Sequence, residues 1–280
     1  MINLITSFFI PKQVERQNEI LKCLYLNVAC PYINKIYLLI EKKTDMIFLK
    51  EKIKPRGKIQ IILLNKQPTY ADYLKIANRL QGEICMISNS DIWLRNCDEQ
   101  LINILKEHPN ICYSLTRTDR DASTKIISSP NANWKPLEVG NFDSFIFKSP
   151  INIDYNLINH IQNRPGSEHV FKTELEYKGI KFYNPCYNII TVHEHLSNVR
   201  TYTRKDDLLW EYDSSGEYAK YKYAKSLTPT PPQQKFTIMR EYPIEKNRRK
   251  KHIRQLVLCF HASFFFIYFM TTQIIIYSIH

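Results

Sequence analysis

The stretch ICMISNSDIWL, residues 84–94, contains the change from a buried strand to a polar turn on which the fold prediction depends. Residues 84–87 are apolar without interruption, residues 88–91 are polar, and apolar residues return at 92–94. An apolar run without in/out alternation indicates a strand buried on both faces. Asp91, at the tip of this strand, either caps a turn or holds a ligand.

Segments on both sides of this stretch alternate between strand and helix patterns. Strands are predicted at Asn3–Ile10, Lys35–Ile40, Lys58–Leu64, Glu83–Ser88 and Cys112–Leu115. Helices are predicted at Gln13–Asn27, Tyr70–Leu80 and Asp98–Glu107. The alternation is typical of an α/β fold with a mostly parallel sheet wrapped by helices. Such sheets bind ligands beyond the carboxyl ends of their strands, which favours a ligand at Asp91 over a simple turn cap.

The second half of the chain is less regular. We predict strands at 144–147, 180–183 and 187–192, and a helix at 168–177. A proline-rich stretch, TPTPPQQ at 228–234, cannot form regular helix. The predicted organisation is one domain at 1–205, a polar, proline-containing linker at 206–245, and a basic run with an apolar tail at 246–280.

The charge of the chain is concentrated near its C-terminus. The formal net charge is +12, and the run KNRRKKHIR at 246–254 contributes six basic residues without an acid, which leaves +6 for the rest. A mildly basic domain suits an anionic ligand such as a nucleoside diphosphate, and no nucleic acid is expected as a partner. The seven cysteines contain no CxxC pair, which indicates free thiols in a reducing compartment.

The apolar tail at 256–279 has 24 residues without a formal charge. A helix of that length, at about 1.5 Å per residue, spans a hydrocarbon core of about 30 Å. The basic run before it would hold the preceding domain on the cytoplasmic side, so the expected location is the cytoplasmic face of a membrane or the cytoplasm. A buried terminal helix and an unselected extension of the reading frame are the alternatives. The N-terminus, MINLITSFFIPK, is predicted to be a first strand and not a signal peptide.

Three groups of residues are candidates for chemistry. A carboxylate at Asp91 could ligate a hard divalent cation that bridges to phosphate oxygens, although Asn89-Ser90-Asp91 by itself favours an Asx-turn. The sequence TVHEHLSNVRTY at 191–202 carries a His-X-His pair, whose rings would project to the same side of an extended chain. Arg200 could face a diphosphate. For the two histidines, an ordinary surface position at a strand end is an alternative that the sequence supports equally.

Two further acids stand at the ends of predicted elements. Glu168, in PGSEH, opens a helix, where it is either a first-turn acid or a general base that accepts a proton from an acceptor hydroxyl. Asp143, in GNFDSFIF, either orients an acceptor hydroxyl or caps the turn.

The order of these pieces resembles the GT-A (Rossmann-like) fold of nucleotide-sugar glycosyltransferases, specifically small glycosyltransferase-like proteins common in large DNA viruses, algae and bacteria. The resemblance runs from about Asn3 to Tyr202. It is carried by RQNEILKCLYLN, YADYLKIANRLQGEICMISNSDIWL, SLTRTDR, GNFDSFIFKSP and PGSEHVFKTELEYKGIKFYNPCYNIITVHEHLSNVR.

The resemblance implies site roles and a reaction. Asp91 looks like the last acid of a DxD-like motif that binds Mn²⁺ or Mg²⁺, and Asn89 stands in place of the first acid. His193 is implied to complete the metal site, and His195 is the less favoured of the two histidines for that role. The residues expected to bind the nucleotide sugar are Thr6, Glu41, Asn89, Asp91 and Arg200. Glu168 is implied as the catalytic base. Asp143 is the second predicted catalytic residue, on the separate ground that it could orient an acceptor hydroxyl.

The implied activity is transfer of a hexosyl or deoxyhexosyl group from a nucleoside-diphosphate sugar to a glycan, glycolipid or glycoprotein hydroxyl. Two other readings remain. One is an inactive relative that binds glycan or nucleotide at a membrane, and the other is a basic nucleic-acid-binding protein. The location of the positive charge beside the apolar tail favours contact with an anionic membrane surface over nucleic acid.

Overall fold

The computed structural model describes residues 1–53, 57–119, 142–197, 199 and 202–243. Met1–Tyr242 form one compact unit, and a second unit begins at Pro243. The predicted apolar tail and basic run lie outside the described residues. Among the residues that are described, no helix is long and apolar enough to cross a membrane.

The strands of the described residues form three sheets. In chain order they are β1 Ile2–Phe8, β2 Ile33–Ile40, β3 Ile59–Leu63, β4 Ile84–Ser88, β5 Ile92–Asn96, β6 Ile111–Thr116, β7 Thr118–Asp119, β8 Phe142–Lys148, β9 Lys181–Tyr183, β10 Ile190–His193, β11 Trp210–Tyr212 and β12 Tyr218–Tyr221. The central sheet has the order β3-β2-β1-β4-β8-β6-β9, a small sheet has the order β5-β10-β7, and β11 pairs with β12.

Helices cover the central sheet. They are α1 Val14–Ala29, α2 Lys43–Lys52, α3 Tyr70–Asn78, α4 Glu99–Glu107, α5 Ser167–Glu176 and α6 Lys235–Glu241, with short 3-10 helices at Tyr155–Ile158 and Arg204–Asp206. Strand β8 runs antiparallel to β4 and β6, whereas the other described pairings in this sheet are parallel. The predicted class, α/β with a mostly parallel sheet flanked by helices, is confirmed.

The central strands are buried as their apolar runs predict. Strand β4 is at most 2% exposed at each of its apolar positions. The chain proceeds from β1 outward through β2 and β3 and then crosses to β4 on the other side of β1. This reversal of direction opens a crevice at the carboxyl ends of β1 and β4, where ligands bind in doubly wound sheets.

An aromatic cluster fixes α5 against the sheet. The rings of Tyr70 and Phe171 stack with centroids 4.4 Å apart, and Phe145 meets Phe171 edge-on at 5.0 Å. Tyr70 opens α3, whose start is held by a capping box between Thr69 and Asp72. Because α3, β8 and α5 share this cluster, the N-terminus of α5 is placed at the same rim as the end of β4.

Several described elements were not predicted from the sequence: α2, β5, β7, β11, β12, α6 and the two short 3-10 helices. Helix α2 has a weakly amphipathic sequence, KTDMIFLKEK, in which only Asp45 and Leu49 are buried, so its helical period is faint. Strand β5 begins four residues after the end of β4, and its partner, β10, lies about a hundred residues further along the chain. The segment 206–242 belongs to the same compact unit as the sheet, and the domain boundary at 205 stays a prediction.

Candidate active site

A cleft of about 1090 Å³ opens at the rim of the central sheet. Its walls include the residues that follow β1, β2 and β4, the N-terminus of α5, and one side of the β11–β12 hairpin. The predicted site residues that line it are Glu41, Asn89, Asp91, Asp143, Glu168 and His193. The cleft therefore joins the acids predicted to act on the donor and on the acceptor.

Asp91 is brought to both histidines by strand pairing. Antiparallel pairing of β10 with β5 places His193 opposite Ile92, and the amide of Glu194 donates to the carbonyl of Asp91 at 2.9 Å. Asp91 Oδ2 then lies 3.1 Å from His193 Nε2 and 3.4 Å from His195 Nδ1. Both rings of the His-X-His pair face the same carboxylate, as extended chain geometry requires.

These three side chains fit a divalent transition-metal ion. Their ligand atoms all lie within 4.8 Å of one another. Ligands at bond lengths of about 2.1 Å around one ion stand about 3.0–3.4 Å apart, which agrees with both distances to Asp91. His195 Nδ1 is buried and has no hydrogen-bond partner among the described residues, so a ligand there would satisfy it. Two imidazoles with one carboxylate suit Mn²⁺ better than Mg²⁺, which prefers oxygen ligands.

His193 is held in place by a second carboxylate. Its Nδ1 lies 2.9 Å from Asp119 Oδ1, an outer partner of the kind that orients metal-ligating histidines. Burial would lower the pKa of His193, but its hydrogen bonds to Asp119 and Asp91 raise it to about 9. Without a metal, His193 is therefore an imidazolium at neutral pH, and an ion bound at Nε2 would replace a proton.

Arg16, near the start of α1, is a site residue that the sequence did not identify. Its Nη2 donates to Asp91 Oδ2 at 2.5 Å, and its Nη1 donates to Glu19 and to the Glu194 carbonyl. Burial would raise the pKa of Asp91, but the hydrogen bond to His193, the nearby His195 ring and the charge of Arg16 hold it well below its usual range. Two sequence signals pointed to it: Arg16 follows the first predicted strand, and it is the first residue of the stretch RQNEILKCLYLN, which was given no role.

A second polar cluster surrounds Asp143. The Asn89 side-chain amide donates to Asp143 Oδ1 at 2.7 Å, and Arg117 Nη1 donates to Asp143 Oδ2 at 2.6 Å. Arg117 also donates to Asp119 at 3.0 Å, so it links this cluster to the histidine pair. Arg117 and Asp119 belong to SLTRTDR, which the sequence marked as a motif without a role. Asn89 Oδ1 has no hydrogen-bond partner among the described residues and is free to accept one.

Glu168 lines the same cleft and lies in the first turn of α5. The turn before the helix contains Gly166 in a left-handed conformation, with φ +80°, and Ser167 Oγ donates to Glu168 Oε2 at 3.1 Å. Burial, followed by the charge of Asp143, raises the pKa of Glu168 to about 8. A carboxylate with a pKa near the working pH is an efficient general base.

The remaining predicted residues have different surroundings. Glu41 follows β2 and lines the cleft. Thr6 lies within β1, is 5% exposed, and is not among the cleft-lining residues. Its Oγ1 has no hydrogen-bond partner in the described part of the chain. Arg200 lies outside the described residues.

Comparisons with known proteins gave structural likenesses alone. No family model and no curated protein sequence matches the chain. Among solved structures, residues 1–349 of S. aureus TarS with UDP-GlcNAc match 73% of this chain and 62% of that one at 12% identity, with a TM-score of 0.49. GalNAc-T7 with UDP, GalNAc and Mn²⁺ matches 76% of this chain and 48% of that one at 11% identity, with a TM-score of 0.47.

A third similar structure is the mannosyltransferase PcManGT from Pyrobaculum calidifontis, in complex with GDP-Man and Mn²⁺. It matches 69% of this chain and 56% of that one at 12% identity, with a TM-score of 0.42. The chain thus spans about half to three fifths of the length of these proteins. TM-scores below 0.5 do not assign an activity, which has to be inferred from the residues of this chain.

Proposed function

We propose that this chain is a metal-assisted GT-A glycosyltransferase that moves a sugar from a nucleoside-diphosphate sugar to a hydroxyl acceptor. One observation supports this above all. A single cleft brings together a candidate metal site, formed by Asp91, His193 and His195, and a carboxylate with a raised pKa, Glu168. Transfer of a glycosyl group needs both parts, because the diphosphate leaves with negative charge and the acceptor must lose a proton.

The donor half of the reaction uses the cationic side of the cleft. A divalent ion at Asp91 would neutralise the charge that develops on the departing diphosphate. The guanidinium groups of Arg16 and Arg117 line the same cleft and would add hydrogen bonds to phosphate oxygens. Asn89 Oδ1, which lacks a hydrogen-bond partner in the described chain, would accept a hydrogen bond from a hydroxyl of the donor. A uridine or guanosine diphosphate sugar is the proposed donor, and the hexosyl or deoxyhexosyl identity of the sugar belongs to this proposal.

The acceptor half uses Glu168. Its carboxylate takes the proton from an acceptor hydroxyl while that oxygen attacks the anomeric carbon and the bond to the diphosphate breaks. Asp143 would orient the acceptor, since it already receives hydrogen bonds from Asn89 and Arg117. A base in this role gives inversion at the anomeric carbon, so the configuration of the product tests the assignment. The acceptor is proposed to be a glycan, glycolipid or glycoprotein.

A donor screen tests the proposal directly. UDP-GlcNAc, GDP-Man and related donors are incubated with the full chain, with and without Mn²⁺, and release of nucleoside diphosphate is followed. Asp91→Ala and Glu168→Gln should each lower turnover by at least 100-fold. Glu15→Gln, which removes an exposed carboxylate of α1 outside the cleft, is the control and should leave turnover unchanged. Absence of turnover with every donor would count decisively against the proposal.

A second candidate is an inactive GT-A relative that binds glycan or nucleotide. The contact of Arg16 with Asp91 at 2.5 Å favours it, because a guanidinium there offers the carboxylate a cation without any metal. The two candidates differ in their response to Asp91→Ala. In an enzyme this change abolishes turnover, whereas in a binding protein it leaves glycan affinity intact. Membrane attachment through residues 246–280, and membership of the viral and algal branch, stay predictions.

A further inference from the structure

The hairpin formed by β11 and β12 carries an aromatic cluster at the cleft. The Trp210 ring lies 5.1 Å from Tyr218 and 4.9 Å from Tyr221, and Tyr212 lies 5.0 Å from Tyr218. Trp210 and Tyr218 line the cleft, and Tyr218 is 66% exposed. Exposed aromatic rings that face a cleft provide flat apolar surface beside polar groups, which is typical of ligand sites.

The base of this hairpin is attached to the turn that precedes Glu168. The Leu208 amide donates to the Pro165 carbonyl at 3.0 Å. Leu209 packs so closely on Gly166 that a Cβ there would lie 2.6 Å from Leu209 Cγ. The hairpin is therefore fixed to the same turn that starts α5, and its position relative to the proposed base is set by direct contacts.

Asp207 holds the start of the hairpin in shape. Its Oδ1 accepts from the amides of Leu209 at 2.8 Å and Trp210 at 3.2 Å, and its Oδ2 accepts from the Tyr212 hydroxyl at 2.8 Å. These bonds fix the backbone of Trp210 and one neighbouring ring. The aromatic surface is thus arranged before any ligand binds, which lowers the entropy cost of binding.

We propose that Trp210 and Tyr218 form an acceptor subsite that binds a carbohydrate next to Glu168. This inference rests on the proposed function and names the acceptor class for the same cleft. A pyranose ring presents an apolar face of C–H groups and a rim of hydroxyls, so it pairs with an aromatic face and neighbouring polar groups. Arg164 and His169 line the cleft and offer such groups. The hairpin contacts the turn that precedes the proposed base, whereas Glu41, which is expected to bind the nucleotide sugar, follows β2. We therefore assign the hairpin to the acceptor and not to the nucleobase.

The test separates glycan binding from donor binding. The full chain is applied to an array of immobilised di- to tetrasaccharides, and the tightest of these is titrated in solution. Trp210→Ala and Tyr218→Ala should each weaken its affinity by roughly tenfold, while Trp210→Phe should restore most of it. Affinity for UDP-GlcNAc or GDP-Man in the presence of Mn²⁺ should stay within about twofold. Tyr187→Ala, at a tyrosine 45% exposed and outside the cleft, is the matched control.

Three results would overturn the inference: no oligosaccharide bound by the unaltered chain, glycan affinity indifferent to both hairpin changes, or donor affinity lost together with glycan affinity. The last result would identify the hairpin as a platform for the nucleobase. Donor hydrolysis without acceptor tests the proposed function separately. A chain that binds an oligosaccharide through Trp210 but releases no nucleoside diphosphate would refute the enzyme proposal and leave this subsite in place.

Discussion

Replacing Glu168 by glutamine should stabilise the protein while it abolishes turnover. The pKa of Glu168 is raised from 4.5 to about 8 in the folded chain. Folding therefore favours its protonated form, and the stability associated with this group is fully present below pH 4.5 and is lost as the pH rises through 8. Glutamine has nearly the same shape as the protonated acid and cannot ionise. The variant should therefore keep its unfolding free energy over the pH range in which ionisation of Glu168 lowers that of the unaltered chain.

The magnitude follows from the pKa difference. Each unit is worth about 1.4 kcal/mol, so the gain in unfolding free energy of Glu168→Gln over the unaltered chain is near zero at pH 4 and about 3 kcal/mol at pH 7. It levels off at a ceiling of about 5 kcal/mol above pH 8. The half-buried side chain is partly screened by solvent, so measured values should fall below this ceiling.

The assay is urea unfolding of the two chains at pH 5, 6, 7 and 8, followed by tryptophan fluorescence. The expected result is a difference that grows by about 1 kcal/mol per pH unit. Glu15→Gln provides the control, because it removes an exposed carboxylate from α1. A difference that does not change with pH would refute the claim that burial and Asp143 shift this group, and with it the reason for choosing Glu168 as base.

Three other predictions concern the same cleft. The turnover rate should rise with pH to a plateau above about pH 8. At pH 6 it should be roughly 1% of the plateau value, because only that fraction of Glu168 is ionised. A turnover rate that does not change between pH 6 and 8, measured where the chemical step is rate-limiting, would contradict this prediction. Mn²⁺ affinity, measured by electron paramagnetic resonance, should fall by at least about tenfold in His195→Ala and should rise in Arg16→Met, because the methionine removes a cation 2.5 Å from Asp91. Equal affinity in the unaltered chain and both variants would show that the ion binds elsewhere. Gly166→Ala should lower the unfolding free energy by at least about 2 kcal/mol and should weaken glycan binding. Gly179→Ala is the control for backbone strain, because Gly179 has a similar φ of +87° but a Cβ there would meet no atom within 4 Å. Equal losses of unfolding free energy in the two variants would argue against the contact between residue 166 and Leu209.

Local patterns predicted most of the first half of the fold. Continuous apolar runs predicted β2 and β4, and the polar residues after each run set the strand ends near the sheet rim. Strand β1 was predicted to end at Ile10 and ends at Phe8. The helical period predicted α1, α3, α4 and α5 within a few residues. Helix α2 was missed because only two of its residues are buried, so burial left no clear period in the sequence.

The candidate site was predicted only in part, because its residues meet through pairing of distant segments. The sequence named Asp91, His193 and Glu168 but preferred His193 over His195, although both rings approach the same carboxylate oxygen. It gave no role to Arg16, whose charge matters only when α1 lies beside the end of β4. No local pattern contains that information.

The sequence by itself determined the α/β class and the position of Asp91 just beyond a buried strand, since both follow from the spacing of apolar residues along a few turns or strands. Only the tertiary structure decided which side chains share the cleft. His193 lies 102 residues from Asp91 and Arg16 lies 75 residues from it, and they meet because β10 pairs with β5 and α1 packs beside them. Burial then set the pKa of Glu168, and burial depends on every element that packs around a group and not on the residues next to it in the chain.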